Sequence, residues 1–125
     1  MSMTSKTLTT KKVAELNDQL RDQIFSKTNT SVNFIKDKIM LSKGVSEMPT
    51  QQQMYILNRV KNFKKFNIDN DPYGEHDFGS FVDEENNKIF WKIDYFDNDL
   101  KYHSEDKSNP AKTIRVLTIM LASEY

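Results

Sequence analysis

The chain has 125 residues, with 18 Lys+Arg balanced by 18 Asp+Glu, 11% aromatics and no cysteine. That length suits one domain with one core, and enough apolar material accompanies the charge to rule out a disordered chain. Disulfides, thiolate metal sites and cysteine nucleophiles are excluded, and no stretch approaches the roughly 20 apolar residues of a membrane helix.

In chain order, Met1–Thr10 is polar, with no apolar leader, and reads as a flexible tail ahead of a single domain at 11–125 in a cytoplasmic protein. Thr9 or Thr10 caps a helix that runs to about Ser26, with Val13, Leu16, Leu20 and Ile24 as its apolar stripe. Lys38–Ser42 suits an edge strand, ended by Gly44. Pro49 opens a second helix that buries Ile56, Leu57, Val60 and Phe63; its last turn and the residues after it carry Arg59, Lys61, Lys64 and Lys65.

Residues 70–103 hold the only Trp and the densest aromatic pattern, and they read as a three-stranded antiparallel meander. Alternation puts Ile89, Trp91, Ile93 and Tyr95 on one face and Phe90, Lys92, Asp94 and Phe96 on the other. The expected register sets Val82 opposite Ile89, Phe78 opposite Ile93, His76 opposite Tyr95 and Asp77 opposite Asp94. A turn at Asp97–Asn98 then brings Leu100, Lys101 and Tyr102 back along Tyr95, Asp94 and Ile93. Finally Asn109 and Pro110 start a third helix whose segment Ile114–Ala122, apolar on nearly all sides, is expected at the centre of the domain. The expected fold is α+β: a three- to four-stranded antiparallel meander packed with three helices, the C-terminal helix central.

Four constellations carry possible chemistry. Glu75, Asp77 and Asp94 share a face in this register, and paired carboxylates suit a hard cation such as Mg²⁺ or Ca²⁺; the ordinary alternative is neutralisation by Lys92 and Lys101. His76, oriented by Glu75 or Asp77, is placed to act as a general base, or equally as a rim residue with satisfied nitrogens. Lys61, Lys64, Lys65 and Phe66, with Lys36, Lys38 and Lys43, suit weak, backbone-directed nucleic-acid binding, or plain solubility. Residues 69–106 carry 12 Asp+Glu against 3 Lys; with Phe81, Phe90 and Phe96 on the face opposite Trp91, they suit an acidic aromatic surface for a protein partner, unless a helix covers it. No phosphate loop, dinucleotide fingerprint or nucleophile elbow is present, and no cofactor is implied.

The segments Asn70-Asp71-Pro72-Tyr73-Gly74-Glu75-His76-Asp77-Phe78-Gly79, Phe90–Tyr95 and Arg115–Ala122 through Glu124-Tyr125 resemble an uncharacterised bacterial family, domain of unknown function 3768. The resemblance spans about residues 12–125 and is weakest in the first third. It implies a small bacterial protein of an accessory or mobile element, and it implies no activity. The expected function is a non-enzymatic binding module, an inhibitor or accessory factor of a nucleic-acid-handling complex, acting through Tyr73, Glu75, Asp77, Phe81, Phe90, Asp94 and Phe96. The alternatives are a metal-dependent hydrolase, with Asp77 and Asp94 as ligands and His76 and Glu75 in acid–base roles, and the nucleic-acid binder at Lys61–Lys65. No oligomeric state follows from the sequence.

Overall fold

A computed structural model describes residues 5–26 and 36–125. Its elements are helix α1 (Ser5–Asp22), strand β1 (Lys38–Leu41), the short helix α2 (Lys43–Ser46), helix α3 (Thr50–Lys61), strands β2 (Phe78–Val82) and β3 (Lys88–Phe96), a 3-10 turn at Pro110–Lys112, strand β4 (Ile114–Leu121) and a closing 3-10 turn at Ala122–Glu124. The α+β expectation holds: the described residues form three α-helices and one four-stranded sheet in the order β1-β4-β3-β2. Three of its four strands run as expected of antiparallel partners, and β1 joins β4 in parallel. No helix among the described residues is long and apolar enough to cross a membrane.

The last segment differs from the sequence-based reading. Ile114–Leu121 is the central strand, paired with β3 on one side and β1 on the other. Arg115, Leu117, Ile119 and Leu121 share the face of Trp91, whereas Ile114, Val116, Thr118 and Met120 share the face of Phe90. A central strand with apolar groups on both faces is a continuous apolar run, which periodicity alone does not separate from a buried helix. The expected third meander strand is correspondingly absent. Asp97 accepts from the backbone of Asp99 and Lys101, Leu100 takes φ 60°, and after one bridge from Phe96 to His103 the chain leaves the sheet.

The helices cover one face. Leu20 of α1 and Ile56 and Val60 of α3 pack with Phe63 on Phe81, Ile89, Trp91, Ile93, Leu117 and Ile119. α1 begins at Ser5, ahead of the expected Thr9 cap, and its stripe holds Val13 and Leu20 as expected. Trp91 is fully buried between the edges of Phe63 and Phe66, with the Arg21 guanidinium 4.9 Å from its ring centre. Arg21 also donates to the carbonyls of Val60 and Phe63 at 3.0 and 2.9 Å, so a cation from α1 closes the negative end of α3. Gly79 is required under this stack, because a Cβ there would lie 2.5 Å from Trp91 Nε1.

The β2–β3 register is set by a three-residue loop. Asp83 and Asn87 close the hairpin through Asp83 N to Asn87 O at 2.9 Å, and Asn86 N donates to Asp83 O at 3.1 Å. Asn86 takes φ 66°, the left-handed residue that follows a type I turn in such loops. The Asp83 carboxylate accepts from the backbone of Glu85 and Asn87 and from the side chains of Asn87 and Gln52. Val82 therefore pairs with Lys88 and Phe78 with Lys92, one position away from the expected register. A one-residue shift exchanges the faces of a whole strand. Phe81 moves beneath the helices, while Phe78 and Val82 move to the other side.

Burial opposes ionisation of Asp83, but the four hydrogen bonds from Asn87, Gln52 and Glu85 outweigh it and hold its carboxyl below the usual aspartate value of 3.8. A lowered folded-state pKa gives stability that is present above 3.8 and lost as pH falls through the lower folded value. Asp83→Ala is expected to cost about 1–3 kcal/mol at neutral pH, and the gap to the parent should shrink in acid. Urea unfolding at neutral and acidic pH measures both; a gap that widens in acid contradicts this account.

Candidate functional site

Two places collect the residues singled out by sequence, and the sheet separates them. The first is the loop 71–77 on the helix side. Asp71, nearly buried, accepts from the backbone of Glu75 at 2.9 Å and His76 at 3.2 Å. Two residues in left-handed conformation, Gly74 at φ 72° and His76 at φ 57°, let the chain turn around that carboxylate. The His76 ring lies flat on Phe66 at 4.1 Å, with Nδ1 3.0 Å from an oxygen of Asp18, which also pairs with Arg21. Glu75 pairs with Lys107 at 2.7 Å, and Tyr73 stands in solvent.

Behind the loop runs a buried polar chain. Asn17, with no solvent exposure, donates to Glu75 O at 2.9 Å and to the Tyr95 hydroxyl at 2.8 Å, and it accepts from Arg115 Nε at 2.8 Å. Tyr95 donates to Asp77 at 2.9 Å, and Arg115 reaches the Lys107 carbonyl. Burial pushes the Asp77 carboxyl above its usual value, with the Tyr95 hydrogen bond opposing and the charges of Glu75 and Asp71 adding. Burial likewise raises the Tyr95 phenol and lowers the Arg115 guanidinium. Each of these groups already has a protein partner, so the cluster fastens the loop to α1 and β4. Asn17 and Lys107, which hold Glu75 in place, are not among the residues expected from the sequence. Asn17 stands four residues after Val13 and three before Leu20, so the helical period places it on the buried side of α1, and that spacing is the sequence signal for its burial.

The register shift dissolves the proposed carboxylate pair. Asp77 lies on the helix side against Tyr95, while Asp94 lies on the opposite face, paired with Lys92 at 2.9 Å. The expected Asp94–Lys101 pairing is also absent, since the backbone of Lys101 is held by Asp97. Among the described residues, no three His, Asp or Glu groups are placed to hold a metal ion. His76 faces Asp18 and Phe66 rather than Tyr95, so the acid–base pair with Asp77 does not assemble. Lys64 and Lys65 are exposed beyond α3 on the helix side, while Lys36 reaches the Pro110 carbonyl and Lys38 stands on β1, across the sheet from β2.

The second place is the sheet face on which none of the described helices packs. Phe78, Phe90 and Phe96 are half-buried there, beside Met40 and Val82, each about half exposed. Tyr125, 73% exposed, sets its ring edge-on to Phe78 at 6.0 Å and Phe90 at 5.4 Å. Of the three Phe expected on this face, Phe90 and Phe96 are on it; Phe81 is buried on the other, beneath Arg59. Phe78 and Tyr125 complete the group in its place. The charges here are mainly lysines: Lys38, Lys88 and Lys92 against Asp94. The acidic residues sit in the loops at either end, Glu84 and Glu85 beside Lys88, and Asp97 and Asp99 beyond Phe96.

The model of a family described as "Protein of unknown function (DUF3768)" matches residues 41–124, which hold α2, α3, β2, β3 and β4 and leave α1 outside. No curated protein and no solved structure matches the chain.

Two substitutions test the polar chain. Asn17→Leu strands Arg115 Nε and the Glu75 carbonyl and is expected to destabilise by at least about 1–3 kcal/mol; an unfolding midpoint within error of the parent would contradict the burial assigned to it. For Asp77, a raised folded pKa means the folded chain keeps a proton that the unfolded chain releases near 3.8. Stability therefore falls as pH rises from 3.8 through the raised value. Asp77→Asn should gain on the parent across that interval and hold its gain above it. A parent that instead gains on the variant there would make the carboxylate a stabilising ion partner.

Proposed function

The chain belongs to the DUF3768 family, whose description carries no activity, and we propose that it is a non-enzymatic binding module whose helix-free sheet face docks a protein partner. The observation that carries this is the half-covered group Phe78, Phe90 and Tyr125 on a sheet face where an antiparallel sheet ordinarily presents polar residues.

The order of charges favours a protein over other macromolecules. β3 has nine residues, about 30 Å of strand. Along it and its flanking turns the order is acidic at Glu84–Glu85, basic at Lys88 and Lys92, acidic at Asp94 and acidic again at Asp97 and Asp99. A polyanion laid along that line meets carboxylates at both ends, and a polycation meets lysines in the middle. A folded protein surface with an apolar centre, acidic groups over Lys88 and Lys92 and basic groups over Asp94 and the loops complements this order. A cytoplasmic partner within a nucleic-acid-handling complex of a bacterial accessory element suits the family likeness.

The test is capture from the native host with the parent chain, with Phe90→Asp, Tyr125→Ala and Lys92→Glu on this face, and with Tyr73→Ala on the other side. One partner held by the parent and by Tyr73→Ala, and weakened roughly tenfold or more by each face variant, is the expected result for a buried aromatic hot spot. Thermal melts check that the variants fold. Capture that survives all three face variants, or that fails with Tyr73→Ala alone, moves the working surface to the loop and refutes the proposal.

A further inference from the structure

We propose that the free edge of β2 is a self-pairing edge, and that two copies of the chain join there into one eight-stranded sheet. This goes beyond the docking proposal and stands on a separate observation, the backbone of β2.

Ile93 N donates to Asp77 O, and Asp83 N to Asn87 O, both at 2.9 Å. With the register Gly79↔Trp91 and Phe81↔Ile89, the residues bonded to β3 are therefore Asp77, Gly79, Phe81 and Asp83. The N–H and C=O of Phe78, Ser80 and Val82 point the other way, off the edge of the sheet. Among the described residues, nothing hydrogen-bonds to them there. Folded proteins guard such an edge with lysine, proline or a bulge. The opposite edge, β1, carries Lys38. β2 reads Phe-Gly-Ser-Phe-Val, with no charge, no proline and no bulge in its register.

The strand is also complementary to itself. An antiparallel copy centred on Ser80 sets Ser80 against Ser80 of the second copy and Phe78 against Val82 of the second copy. All three pairs use the outward-pointing groups, so the ladder closes in register; just outside it Asp77 stands opposite Asp83 of the second copy at either end. Gly79 then faces Phe81 of the second copy, which avoids a clash of two bulky groups. The two-fold axis stands perpendicular to the sheet, so both aromatic faces lie on the same side and Phe78 of each copy borders Val82 of the other. The interface is isologous. Three residue pairs make it small, of the transient class, so the dimer depends on concentration.

Sedimentation equilibrium over the soluble concentration range should show the average mass rising from monomer toward dimer. Ser80 projects from the open face, and Ser80→Lys or Ser80→Glu sets like charges opposite each other across the axis. Each alone should stay monomeric, and an equimolar mixture should recover the dimer. Paired residues of this kind have Cα atoms about 5.5 Å apart, within disulfide reach. The chain has no cysteine of its own, so oxidised Ser80→Cys should cross-link far faster than Ser123→Cys, which lies off this edge; this holds even where a charged variant folds poorly. A parent that stays monomeric throughout, or a dimer that persists in both charged variants, overturns the proposal.

Discussion

The three-residue loop Glu84–Asn86 is the constraint on which the arrangement of this protein depends. Asp83 holds the loop from inside by accepting two backbone N–H groups, and Asn86 supplies the left-handed residue it needs. Loop length fixes register, and register decides which side of the sheet each aromatic ring occupies. Phe81 completes the core with Trp91 because of that loop, and Phe78 joins Phe90 on the far side for the same reason. One residue more in the turn would bring Asp77 opposite Asp94, expose Phe81 and bury Phe78. The carboxylate pair expected from the sequence belongs to that other register.

Much of the architecture was legible in the residues. The helix stripes, the β1 edge strand, the hairpin Phe78–Phe96 and the α+β class all follow from spacing and strand chemistry. Ile114–Leu121 was misread because helix and strand make the same demand when both faces are buried: apolar side chains throughout. Its β-branched Ile114, Val116, Thr118 and Ile119 leaned toward a strand, and eight residues is a strand's length. The site was less legible. Tyr125 joins Phe78 and Phe90 only because the 3-10 turn after β4 brings it back over the sheet, and Asn17 is buried only because α1 crosses Arg115 and Tyr95. The partners in such contacts are set by tertiary placement; local sequence records only that Asn17 shares the buried side of α1 with Val13 and Leu20.

Residues 1–65 carry 12 Lys+Arg and 5 Asp+Glu, residues 66–125 carry 6 and 13, and this gradient is resolved in two ways. On the helix side, basic residues of the first half meet carboxylates and carbonyls: Arg21 binds Asp18 and the end of α3, and Lys36 reaches Pro110. The closing turn adds a tie of opposite sense, with Glu124 accepting from Ser42, Gly44 and Leu121, and the Ser42 bond chief among those that hold its carboxyl below the usual value. The acidic second half, by contrast, spends Asp83 and Asp97 on turning the backbone. Glu84, Glu85 and Asp99 stay in the loops at the ends of β3, while Asp94 on the strand pairs with Lys92. The strand between them keeps lysines on its open side, so a segment that is strongly acidic in sequence presents a face that is not.

The two sides of the sheet thus obey different rules. Beneath the helices, rings are enclosed, and Asn17, Arg115 and Tyr95 exchange hydrogen bonds with one another. Folding requires this, because an unpaired polar group there costs about 1–3 kcal/mol. On the other side, Ile114 and Met120 are buried, while Phe78 and Phe90 stay only half covered. A polar residue at either position would keep the ladder to β3 and β4 and would leave the helix-side core untouched. Aromatic side chains in such places add surface that water disfavours and bring a hazard of association. The neighbouring β2 edge, uncharged and unguarded, adds to that hazard. Two exposed features therefore adjoin one another at β2, and association is the property they share.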